Sequence, residues 1–123
     1  MTNRSLLFLL AGFVPFALAG CGESRPDPQT AVAACTSCHS LKPGEPSRAG
    51  PNLAGVVGRK AGAVPGFAYS PAMSASGVVW DHETLDRFLA NPSAAMPGTR
   101  MSFAGVPDPA KRAAIIEYLA GAK

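Results

Sequence analysis

Charge is scarce in this sequence: Asp, Glu, Lys and Arg supply 15% of its 123 residues, eleven basic against eight acidic, with no run of either sign. Nucleic-acid binding, which relies on a basic patch facing phosphates, gains no support. Alternation of apolar and polar residues is weak throughout, which argues against a fold built on sheets. Long apolar runs are missing too. The longest, Leu6 to Leu18, is interrupted by Pro15 and is too short to span a bilayer comfortably. Histidine occurs twice and cysteine three times. A zinc site would need a further ligand group, and His82, between Asp81 and Glu83, reads as a solvated helix-start residue. Glycine and proline, by contrast, are plentiful at 13 and 12 residues, which predicts short helices joined by long, turn-rich loops.

The first residues read as an export signal. Arg4 gives a positive start, the apolar run follows, and small residues stand at Ala19 and Gly20. The tetrad Leu18-Ala19-Gly20-Cys21 resembles the lipobox of bacterial lipoproteins, in which cleavage precedes the cysteine and its sulfur carries a diacylglyceryl group. That resemblance implies a lipid on Cys21 and a location on the periplasmic side of a bacterial membrane; a soluble periplasmic protein is the alternative. Cysteine arithmetic favours lipid, because Cys35 and Cys38 form a natural pair and Cys21 is otherwise an odd thiol in an exported chain. The expected organisation is a signal peptide over 1–20, a polar tether over 21–27 and one domain over 28–123. The formal charge of +3 drops to +2 once Arg4 is removed. A domain of this size buries only about 60 to 70% of its unfolded surface, so a cofactor would help to stabilise it.

Within the domain, Asp27-Pro28 has the chemistry of a helix start, and a helix is expected to about Ser40. Leu41 to Trp80 is rich in Gly and Pro, long enough to be wrapped around something. Asp81 opens a second helix, with Leu85, Phe88 and Leu89 on one face and Asn91-Pro92 at its end. Ser93 to Gly105 reads as loop. Asp108-Pro109 starts a third helix carrying Ile115, Ile116 and Leu119, closed by Gly121. The expectation is an all-α domain of three main helices and long loops.

Cys35-Thr36-Ser37-Cys38-His39 is the most informative string. It is C-x-x-C-H, the pattern of c-type haem attachment: two thiols to add to two vinyl groups, and an imidazole beside them for the iron. A thioredoxin-like thiol pair would call for a βαβ frame, and none is visible. An electron carrier needs a second axial ligand, for which the thioether candidates after the motif are Met73, Met96 and Met101.

Here a wider resemblance enters. Pro97 to Gly105 is similar to the ligand loop of class I cytochromes c, the mitochondrial and bacterial kind, and the likeness runs without a gap from Cys35 to Tyr118. It implies the small all-α fold of that family, one haem c per chain held by Cys35 and Cys38, and His39 and Met101 as axial iron ligands. It further implies that the Pro51 carbonyl accepts the N–H of His39, that Asn52 and Thr99 belong to the haem pocket, and that Arg59, Tyr69 and Trp80 donate to the haem propionates. Three departures stand out. Phe88 replaces a tyrosine near the ligand methionine, Met73 replaces an internal asparagine, and Ser93 and Ala94 replace lysines used in docking.

The function so implied is one-electron transfer between redox proteins, membrane-bound respiratory or photosynthetic complexes, by a monomeric carrier that is not an enzyme. A haem peroxidase or gas sensor is the alternative. Either would need an open or labile sixth position on iron, against which Met101 argues.

Overall fold

A computed structural model of the chain describes residues 24–123. The signal-like segment, the tetrad at 18–21 and Cys21 lie outside the described residues.

Side-chain caps set the helix starts. The Asp27 carboxylate accepts the Thr30 backbone N–H, and Pro28, which has no N–H to leave unpaired, begins α1 (Pro28–Val32). Asp81 and Thr84 exchange hydrogen bonds, each side chain accepting the other's backbone N–H, to open α3 (His82–Ala90). Asp108 caps α5 (Pro109–Gly121) through the Ala110 N–H. Two further short helices occur. Ser70 caps α2 (Pro71–Ala75), and Asn91 both ends α3 and caps α4 (Pro92–Ala95).

Three expectations need correction. The first helix does not run to Ser40: after Val32 it tightens into a 3-10 turn over Ala33–Ser37. The hydroxyls of Thr36 and Ser37 donate to the carbonyls of Ala33 and Ala34, three residues back, and this local bonding competes with a regular α-helix. The 93–105 segment is not all loop, because Asn91-Pro92 starts α4 as well as stopping α3. The stretch 41–80 likewise contains α2. Among the described residues there is no strand, only an isolated antiparallel bridge between Lys60 and Val79.

α5 is the packing centre, in contact with both α1 and α3. Ala31 and Val32 from α1, Leu85, Phe88 and Leu89 from α3, and Ala114, Ile115, Ile116 and Leu119 from α5 form one buried cluster. Small residues at Ala31 and Ala114 suit the close approach of two helices. Around this frame the 38–70 segment folds back on itself. Gly50 N–H donates to the Cys38 carbonyl and Leu53 N–H to the Ser40 carbonyl, which brings Pro51 under the start of the loop.

Candidate functional site

Cys35 and Cys38 are free thiols on the 3-10 turn and its end, Cys35 half-buried and Cys38 exposed. Burial pushes the Cys35 thiol pKa up, an effect that nearby Lys111 opposes. Cys35 opens on an apolar cavity of about 440 Å³ shared with Leu89, Phe103, Val106 and Ile115. His39 follows the pair directly and turns inward: it is 8% exposed, and its Nδ1 lies 2.7 Å from the Pro51 carbonyl. With Nδ1–H donating there, the lone pair of Nε2 is left for a metal. Gly50 makes this placement feasible, since a β-carbon built on it would collide with Cε1 of the His39 ring.

The methionines divide by burial. Met96 is part of the core, 7% exposed, whereas Met73 and Met101 are partly buried at its margin. The Thr99 hydroxyl accepts the Met101 N–H at 3.3 Å, fixing the backbone just before the thioether. Gly105, at φ +98°, closes the same loop against the Ala90 carbonyl, where a β-carbon would collide. A left-handed, side-chain-free residue is required there.

Asn52 and Arg59 both bond to the backbone of the loop. The Asn52 carboxamide donates to the Lys42 and Glu45 carbonyls and accepts the Ala54 N–H, so it knits the loop rather than facing a ligand. Arg59 donates to the carbonyls of Asn52 and Ala54 at 2.8 and 2.9 Å. Two of its five N–H groups are thereby used. Burial lowers the Arg59 pKa, an effect that Tyr69 partly offsets. The Tyr69 hydroxyl oxygen accepts the Val64 N–H, leaving its own proton to donate. Trp80 is buried and packs on Phe88 with ring centroids 5.0 Å apart.

These residues fit a covalent haem. Paired thiols stand beside an apolar cavity, a buried imidazole has its tautomer set, and Arg59 is a half-buried cation that no carboxylate among the described residues neutralises. Such a cation suits the propionates of a bound porphyrin, because charge-assisted bonds offset the cost of burying both. Sequence reasoning did not single out Gly50 or Gly105 as site residues. The Gly-Pro pair at 50–51 was a usable signal; Gly105 had none beyond its place at the end of the loop.

No protein-family model matches the chain. The chain is 46% identical over 93 residues to cytochrome c2 iso-2 of Magnetospirillum fulvum, a match covering 76% of this chain and 96% of that protein. Against cytochrome c2 of Blastochloris viridis it is 39% identical over 113 residues, 92% of this chain and 87% of the other. Among solved structures, cytochrome cH from Methylobacterium extorquens superposes with a TM-score of 0.72 at 43% identity, covering 76% of this chain and 94% of that one. Each of these relatives is named as a cytochrome, none as a peroxidase or sensor.

Proposed function

The chain belongs to the class I cytochrome c family, and we propose that it carries single electrons between membrane-associated redox complexes on the periplasmic side of a bacterial membrane. It is a single-haem electron carrier with one covalent haem c, whose iron supplies the change of one charge per cycle.

In this reading Cys35 and Cys38 would hold the haem covalently through its two vinyl groups, and His39 and Met101 would ligate its iron. The observation that carries it is the buried His39 directly after the cysteine pair, with Nδ1 on the Pro51 carbonyl. That bond holds one tautomer and makes Nε2 a better donor. Gly50 lets the ring approach the backbone closely, and Thr99 positions Met101. Leu89, Phe103 and Ile115 give the pocket an apolar lining, which would lower the cost of reorganisation when charge changes. Arg59, Tyr69 and Trp80 act toward the propionates, while Asn52 shapes the loop that holds Pro51. Ligation by both His39 and Met101 would leave no iron site for a substrate, which supports a carrier rather than an enzyme.

A diacylglyceryl group on Cys21 is supported by the tetrad Leu18 to Cys21 and by the odd thiol count. No helix among the described residues is long and apolar enough to cross a membrane. A lipid would then provide the attachment.

Ligand substitution tests the reading. Reduced wild-type protein should exclude carbon monoxide, and its ferric form should show the weak red absorption band of methionine-ligated haem. Met101→Ala should lose the band and bind carbon monoxide. Met96→Ala, a core truncation, should keep the band and cost about 2–5 kcal/mol of stability. The assignment fails if the two variants exchange these behaviours, and the carrier function fails if wild-type protein binds carbon monoxide readily.

A further inference from the structure

Arg112, in the first turns of α5, does not line the site, yet its side chain is the most heavily bonded on that helix. Nε–H donates to Asp86 Oδ1 at 2.7 Å, and a second, longer bond of 3.4 Å runs from an Nη to Oδ2. The other terminal nitrogen donates to two backbone carbonyls, Val106 at 2.9 Å and Pro107 at 2.8 Å. Four of the five guanidinium N–H groups are thus engaged. The Arg112 side chain is 13% exposed, against 63% and 64% for the arginines in the other two ion pairs, Arg25 and Arg87.

The two carbonyls lie at the end of the loop that carries Met101 and Phe103. The start of that loop is fixed by buried Met96. Its end is held from one side by Val106 N–H donating to the Leu89 carbonyl, and from the other by Arg112. Between these fixed points only the Met101 and Thr99 turn bonds act along the loop. Asp86, on α3, fixes the plane of the guanidinium, and so ties the loop end to two helices at once.

We infer that Arg112 and Asp86 form a latch that holds the 97–107 loop closed and keeps Met101 in place, making Arg112 a positioning residue for the sixth ligand. This rests on Met101 being that ligand. The physical argument is one of populations. An external base reaches the iron only when the loop has swung the thioether away, so its apparent affinity scales with the fraction of open loop. Cutting the latch leaves two carbonyls without their donor and raises that fraction, while the His39 side of the site is untouched. Lysine cannot replace the arginine, because one ammonium cannot span a carboxylate and two carbonyls in a plane.

The test is an imidazole titration of the ferric holoprotein, followed through the red methionine band, with thermal melting in parallel. Arg112→Met should bind imidazole about tenfold more tightly than wild type, and Arg112→Lys should not restore the wild-type value. Asp86→Asn should shift affinity in the same direction by a smaller factor. Two controls should leave it unchanged: Glu83→Gln, which breaks the exposed Glu83–Arg87 pair, and Ile116→Val, which thins the core one turn beyond Arg112 on α5 without touching its hydrogen bonds. The latch is refuted if Arg112→Met binds imidazole within about twofold of wild type, or if Ile116→Val tightens binding equally, since the effect would then follow stability alone. Should Arg112→Met fail to fold, Asp86→Asn decides by whether its affinity rises. Absence of the methionine band in wild-type protein would instead refute the ligand assignment, a result distinct from an intact band that ignores the latch.

Discussion

Gly50 shows how much one side chain's absence can determine. Its missing β-carbon is the space in which the His39 ring lies, and the following residue, Pro51, supplies the carbonyl that orients the ring. Gly50→Ala should therefore displace the imidazole, costing about 1–3 kcal/mol from overpacking and converting part of the ferric protein to a high-spin spectrum. Thermal melting and the visible spectrum check both, and an unchanged spectrum would mean that the ring position does not depend on this contact. The cysteine pair and His39 were legible in the sequence because they are contiguous and their spacing has chemical meaning. The His39–Pro51 bond was accessible only through family resemblance, since it joins residues 12 apart across a loop. The duties of Asn52 and Arg59 were less legible. Both side chains bind backbone carbonyls, and carbonyls have no signature in a sequence.

Helix starts were readable where a carboxylate precedes the first turn. The same caps make an acid-sensitive contribution to stability. Asp81 lies below the usual carboxylate range because the Thr84 backbone N–H, and then the Thr84 hydroxyl, bond its charged form; Thr30 does the same for Asp27. A depressed folded-state pKa gives stability that is complete above the unfolded value and is lost as pH falls through the folded one. Denaturant midpoints measured from about pH 6 down to about pH 2 should thus fall less steeply in Asp81→Asn, which keeps a cap but cannot titrate. Equal slopes in the two proteins would remove Asp81 from the acid response. Helix ends were less readable than starts. Val32 gives way to a 3-10 turn through hydroxyls at Thr36 and Ser37 that look like ordinary polar residues in sequence, and Asn91 serves two helices at once.

At the scale of the molecule, an all-α domain wrapped by a long loop follows from the weak alternation, the three amphipathic stretches and the wealth of Gly and Pro. The closure of that wrap was not foreseeable, since Gly55 N–H bonds the carbonyl of Ala122 near the opposite end of the domain. The attachment reading has its own test. Cys21→Ser should leave the haem spectrum unchanged while abolishing palmitate labelling and membrane retention; wild-type protein found acyl-free in the soluble periplasm would refute it. Arg25 adds a consequence. It pairs with Glu117 near the end of α5, beside a surface groove that includes Pro28, Pro43 and Tyr118. Only three residues separate Cys21 from this docked arginine, a reach of at most about 14 Å. From the same pole, α1 and its 3-10 extension run about 17 Å to the Cys38 end. A leash this short would turn an internal dimension of the domain into an altitude: if Cys21 carries the lipid, the haem would be confined to a thin layer above the headgroups, and a partner would have to present its own redox centre within that layer.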